Sequence, residues 1–174
     1  MNIYLAGMIG SGKTTLGERI AAFLDRSFYD LDLEMDRILG YSFHNLVREK
    51  GWLAFRELEY SICKDFARRS KAIVCLGGGT VRYEWNLDVL RGTGSIVLLE
   101  VSPEELIRRV RAADRPRVNA GTTLEEDIHL MWDLEREKYY RAADIVYRAE
   151  GKNIDTEVEE LVSMLRKEAS GDEQ

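Results

Sequence analysis

The stretch Gly7-Met8-Ile9-Gly10-Ser11-Gly12-Lys13-Thr14-Thr15 fits the spacing G-x-x-x-x-G-K-[ST]. Glycines at that spacing let the backbone wrap around phosphate oxygens, and the N–H groups of the loop and of a following helix point at the anion. In this pattern Lys13 reaches the β- and γ-phosphates and Thr14 ligates Mg²⁺ through its hydroxyl, while Gly10, Ser11, Gly12 and Thr15 complete the cradle. The chemistry specified is binding of a nucleoside triphosphate. No N-K-x-D guanine motif occurs, and 174 residues are too few for a large motor ATPase. What remains is a small P-loop kinase, in which a second substrate lies opposite the γ-phosphate.

Three further groups of residues can serve that second substrate. In Phe28-Tyr29-Asp30-Leu31-Asp32 the acids alternate with apolar residues. Alone they read as a solvated strand end and a helix cap; beside a phosphate loop they offer a metal contact and an acceptor for a hydroxyl proton. Gly77, Gly78 and Gly79 permit close backbone approach to a ligand. Arg56 carries a planar fork suited to a carboxylate, or else pairs with Glu57 or Glu59 on its own helix. Arg108, Arg109, Arg111, Arg115 and Arg117 concentrate positive charge within ten residues, a run of the kind that usually forms a solvated helix face. His44 and His129 are expected on helix faces, and Trp52, Trp85 and Trp132 as packing residues.

These groups need elements to position them. Short apolar runs at 2–6, 27–30, 72–76, 95–100 and 144–148 alternate with helical patterns at 13–24, from 31 to about 70, 83–91, 103–112, 123–142 and 154–168. Such alternation predicts an α/β fold, a parallel sheet with helices on both faces. Ligands then collect beyond the carboxyl ends of the strands, where the phosphate loop, Asp30-Leu31-Asp32 and the glycine triplet all fall. Ser102 with Glu105, and Thr122 with Glu125, have the spacing of capping boxes. Residues 1–168 read as one domain with a substrate-binding helical segment at about 31–62. A mobile lid is expected at 112–122, where Pro116 and Gly121 interrupt any apolar period, and a disordered tail at 169–174.

Composition narrows the setting. With 45% apolar residues one core is affordable, and a net charge of −6 argues against a general nucleic-acid or anionic-membrane binder. Cys63 and Cys75 are expected as buried reduced thiols. No leader-like N-terminal pattern and no apolar run of about 20 residues is present, so a cytoplasmic protein is expected.

Taken together, Gly7–Thr14, Asp30-Leu31-Asp32, Phe55-Arg56-Glu57-Leu58-Glu59, Gly77-Gly78-Gly79 and Arg115-Pro116 make the sequence resemble the shikimate kinase family, in order and spacing, from residue 1 to about 165. The resemblance implies a three-layer P-loop kinase fold on a five-stranded sheet of order 2-3-1-4-5. It also implies transfer of the ATP γ-phosphoryl group to the 3-hydroxyl of shikimate with Mg²⁺, in aromatic amino acid biosynthesis; nothing in the sequence demands a partner protein, and a monomer is expected. Carried over, Thr14 and Asp30 serve the metal, and Lys13, Asp32 and Arg115 are catalytic. Arg109 stacks on adenine, Arg56 grips the substrate carboxylate, and Gly77, Gly78 and Gly79 surround the ring. Two departures stand out. The lid reads Arg115-Pro116-Arg117-Val118, and the stretch Leu134–Asp144 lacks the family's proline. That stretch admits either Arg136 with Tyr140, the choice made here, or a frame with Glu135 at the place of a second carboxylate-binding arginine. The alternatives are a related kinase acting on another carboxylated polyol such as gluconate, or on a nucleoside monophosphate, and a non-catalytic nucleotide sensor.

Overall fold

Asn2–Ala6 (β1) and Ala72–Cys75 (β3) are buried at every position, as strands covered on both faces must be. Ser27–Asp30 (β2) and Ile145–Arg148 (β5) lie at the sheet edges, and β5 alternates buried with exposed residues. Gly94–Glu100 (β4) completes a five-stranded parallel sheet of order β2-β3-β1-β4-β5 in this computed structural model, which describes residues 1–110 and 117–171. The expected P-loop kinase topology is the observed one.

The helices are Lys13–Leu24 (α1), Leu31–Leu39 (α2), Phe43–Ala67 (α3), Glu84–Leu90 (α4), Pro103–Val110 (α5), Leu124–Ala142 (α6) and Ile154–Ser170 (α7), with a 3-10 turn at Thr80–Arg82. Several ends have local causes. Asp30 caps α2, accepting from the N–H groups of Asp32 and Leu33, and Gly40 closes it in the left-handed region. The capping box of α6 is Thr123 with Glu126, one residue later than expected. α3 is not continuous: Gly51, at φ 80° and ψ 177°, breaks it. Trp52, Phe55 and Arg56 therefore start a fresh helical run whose direction residues 43–50 do not set. α7 extends to Ser170 and ends on Gly171, so the first part of the expected tail is helical.

One continuous apolar core lies on both faces of the sheet. Gly17 on α1 brings that helix hard against it: a Cβ there would stand 2.7 Å from Cys75 Sγ and 2.9 Å from Phe28 Cε2. Cys63 and Cys75 are buried free thiols, as expected, and burial pushes both well above the usual thiol range. Among the described residues, no helix is long and apolar enough to cross a membrane.

Candidate active site

The phosphate loop leaves β1 and closes with a hydrogen bond from Ser11 N to Met8 O at 3.2 Å. Gly10 has φ 77°, and a Cβ there would stand 2.6 Å from Val110 Cγ1, so both conformation and space require glycine. The Lys13 ammonium turns into the loop and donates to Gly7 O at 2.8 Å, Met8 O at 3.0 Å and Ser11 Oγ at 3.4 Å. This holds a positive charge among backbone groups at the head of α1. Behind it, Cys75 Sγ donates to Lys13 O at 3.0 Å and ties the helix start to β3.

Thr14 and Asp30 meet across the end of the sheet, with Thr14 Oγ1 donating to Asp30 Oδ2 at 2.7 Å. Asp30 Oδ1 accepts from Asp32 N at 3.0 Å and Leu33 N at 3.2 Å. Asp30 is thus a helix cap and a neighbour of the loop hydroxyl at once. Among the described residues there is no group of three or more His, Cys, Asp or Glu side chains that could hold a metal. A hydroxyl and one carboxylate suit Mg²⁺, which takes few protein oxygens and completes its shell with phosphate and water.

The cleft over the loop continues to Arg109, Ile154 and Glu157. Arg109 is fixed on three sides: Nε donates to Glu105 Oε1 at 2.7 Å, Nη1 to Gly10 O at 3.2 Å and Nη2 to Ala149 O at 3.3 Å. Bonds from Arg108 and then Arg109 pull the Glu105 carboxyl down to about 2.

A second cavity adjoins the first, and Ile9, Asp32 and Gly78 line both. Its walls come from four places: Trp52, Phe55 and Arg56 on α3, Gly78, Gly79 and Arg82 after β3, Arg117 and Val118 before α6, and Asp127, Met131 and Tyr139 on α6. Arg56 is buried and its Nη1 donates to Glu59 Oε2 at 2.7 Å. Glu59, fully buried, also accepts from Thr80 Oγ1 at 2.7 Å and Asn86 Nδ2 at 3.2 Å. The helix pairing considered from sequence is real, but it is an interior pair that aims Arg56 rather than a surface one. The guanidinium also packs over the rings of Phe55, Tyr83 and Trp52, at 4.7, 4.6 and 5.5 Å.

Tyr139 Oη donates to Gly78 O at 2.6 Å and closes the floor. Burial raises this hydroxyl to about 12, while the nearby Arg82 and Arg56 act in the opposite direction. At the mouth, buried Asp127 accepts from Val118 N at 3.0 Å and from Asn119 N and Nδ2, both at 2.8 Å. Trp52 Nε1 donates to Arg117 O at 3.3 Å. Residues 117–119, within the expected lid, are therefore pinned from both walls.

The structure brings Lys13, Thr14, Asp30, Asp32, Arg56, Gly78 and Gly79 around these two joined cavities. Gly77 stands just behind, where a Cβ would lie 3.3 Å from both Asp32 Oδ1 and Glu59 Oε1. Arg115, with residues 112–116 of the expected lid, lies outside the described residues. Arg136 is a correction. The inward stripe of α6 runs through Ile128, Met131 and Tyr139, whereas Arg136 shares the stripe of Trp132 and Tyr140 and its side chain is 53% exposed. Tyr140 donates to Glu100, away from the cavity. The phase therefore sets Tyr139 at the site, and Glu135 precedes it by one turn.

Sequence reasoning missed four residues: Trp52, Arg82, Asp127 and Tyr139. Trp52 was expected to pack, and it does so against Phe55 and Arg56 while facing the cavity. Trp85 is the opposite correction, exposed and stacked on Tyr83 at 4.7 Å rather than in the core. The signal for Tyr139 was available in the period shared by residues 128, 131, 135, 139 and 142. Arg82 carried only its nearness to the glycine triplet.

Comparison with known proteins completes the description. The family model for shikimate kinase matches residues 9–166. The shikimate kinase of Prosthecochloris aestuarii is 31% identical over 173 residues, covering 95% of this chain and 87% of that protein. The structure of Acinetobacter baumannii shikimate kinase in complex with shikimate superposes with a TM-score of 0.90 at 24% identity, over 96% of this chain and 93% of that one. The Aquifex aeolicus shikimate kinase structure follows at 0.84 and 29% identity, over 97% and 98%. With the family model matched over residues 9–166 and a relative 31% identical over nearly its whole length, this chain belongs to the shikimate kinase family.

Proposed function

We propose that this protein transfers the γ-phosphoryl group of ATP to the 3-hydroxyl of shikimate. One observation carries the reading: the phosphate cleft and an arginine-bearing cavity meet at Asp32 and Gly78 within the span matched to the family. Phosphoryl transfer asks a protein mainly for alignment, charge neutralisation and exclusion of water. The loop N–H groups and Lys13 bind the β- and γ-phosphates. Arg109 and Ile154 flank the adenine. Arg56 takes the acceptor carboxylate, which sets the ring so that its hydroxyl faces Asp32. Asp32 orients that hydroxyl and accepts its proton as the oxygen–phosphorus bond forms and the bond from γ-phosphorus to the bridging oxygen breaks, leaving ADP. Thr14 and Asp30 would hold Mg²⁺, which supplies neutralisation of phosphate charge. Arg115, outside the described residues, is assigned by the family resemblance as a further cation for the transferring group.

A small acceptor also agrees with the acidic chain, which disfavours nucleic acid. The same proposal includes a cytoplasmic monomer, in keeping with two buried free thiols. The test is an ATP-coupled assay of shikimate against gluconate and nucleoside monophosphates. Turnover of shikimate at least about 100-fold above the others in kcat/KM is expected, a discrimination of about 2.7 kcal/mol. Preference for another acceptor would overturn the substrate assignment.

A further inference from the structure

The charge balance of the acceptor cavity points beyond Arg56. That guanidinium is already partnered by Glu59, a fully buried carboxylate that holds three donors. Asp127, the other buried acid on the wall, is taken up by the amides of residues 118 and 119. Arg82 differs from both. It lines the cavity, makes no side-chain hydrogen bond or ion pair among the described residues, and its Nε is buried without a partner there. Arg56 Nε is buried and unpartnered as well. Both guanidinium carbons lie near one ring, that of Tyr83, at 4.6 Å for Arg56 and 5.8 Å for Arg82. Arg56 and Arg82 thus present spare donors to one small space, and among the described residues Arg56 has a carboxylate partner where Arg82 has none.

The backbone has been shaped around Arg82. A Cβ on Gly79 would stand 2.5 Å from Arg82 Nη2 and 2.9 Å from its Nε, so the guanidinium lies flat against the space that a side chain would fill. Packing of this kind holds a long side chain in place and lowers the entropy lost when it binds a ligand. A free cation with a buried unpaired N–H on a cavity wall is costly unless an anion completes it. On the nearby α6 the acids are already engaged, Glu135 with Lys138 at 2.6 Å and Asp127 with the amides of residues 118 and 119, while Arg136 and Tyr140 face elsewhere.

We infer that Arg82 is the second arm of the carboxylate clamp, holding the acceptor's carboxylate together with Arg56 and so determining specificity for an acidic acceptor. The inference rests on the kinase reading above. It assigns to the turn after the glycine triplet the contact that the sequence had suggested for Arg136.

The test measures KM for shikimate and for ATP in wild type, Arg82→Gln, Arg82→Lys and Arg136→Gln, with melting temperatures for each. A charge-assisted contact of ordinary strength predicts that Arg82→Gln raises the shikimate KM by roughly 10- to 100-fold with the ATP KM within about twofold, and that Arg82→Lys recovers part of the loss. Arg136→Gln is expected to leave the shikimate KM within about twofold. Shikimate and its carboxamide give a readout that a structural role would not move: wild type prefers the acid, and Arg82→Gln loses most of that preference. An unchanged shikimate KM or preserved acid preference in a folded Arg82→Gln overturns the inference and leaves the kinase reading standing. No turnover of shikimate by the wild-type chain overturns both.

Discussion

The two halves of the site are built in opposite ways. The phosphate side comes from one contiguous segment, residues 7–15, with partners from β2 and α5, and it works through backbone amides, one lysine and one hydroxyl. The acceptor side is assembled from α3, the turn after β3, the residues before α6 and α6 itself, and it works through side chains. Backbone recognition tolerates drift in the surroundings, because a loop of fixed sequence carries its own geometry. Recognition by side chains from four elements depends on helix phase and on buried partners such as Glu59 and Asp127.

Substitutions can test that contrast. The largest effect is expected for Lys13→Met, a loss of about 10³-fold or more in kcat, since it removes a fixed cation from the transferring group; retained turnover in a stopped assay would contradict the phosphate-side assignment. Asp32→Asn, at the junction, should lower kcat by roughly 10²- to 10³-fold with ATP affinity nearly unchanged, measured by turnover alongside nucleotide titration. Equal activity would remove Asp32 from the mechanism. Arg56→Lys should raise the acceptor KM about tenfold and spare the ATP KM, because an ammonium cannot reproduce the fork. Parallel rises in both would mean that the two halves are not separable.

The smallest effect is expected at Glu105→Gln, a rise of about threefold in the ATP KM alone, since Arg109 keeps its bonds to Gly10 O and Ala149 O. Its pH behaviour has a definite sign. The Glu105 carboxyl is depressed in the folded state, so its hold on Arg108 and Arg109 is fully present above the ordinary carboxylate range. That hold fades as pH falls from about 4.5 towards about 2. Nucleotide affinity followed by titration down to pH 4 should therefore change no more in wild type than in Glu105→Gln.

Legibility in the sequence followed the same division. The loop could be read because its residues are neighbours in the chain, and the strands because apolar runs mark them. Asp30 and Asp32 were found because β2 ends beside β3 in any such sheet. Arg56 was found by its surroundings in sequence, although its burial with Glu59 was not visible. Tyr139 and Arg136 are three residues apart, and only packing decides which of their stripes on α6 faces inward. The break at Gly51 was hidden for a related reason: a glycine within a helical pattern does not reveal whether it bends the chain.

By itself, then, the sequence determined the order of elements, the parallel sheet, the phosphate loop and the family to which the chain is similar, because each rests on local spacing or on motifs read along the chain. Only the tertiary structure decided that Arg56 is an interior residue steered by Glu59, that Arg136 faces away, and that Arg82 and Tyr139 enter the acceptor cavity. Those outcomes hinge on rotations of about 100° per residue about a helix axis and on buried carboxylates brought from distant segments, and no local pattern encodes either.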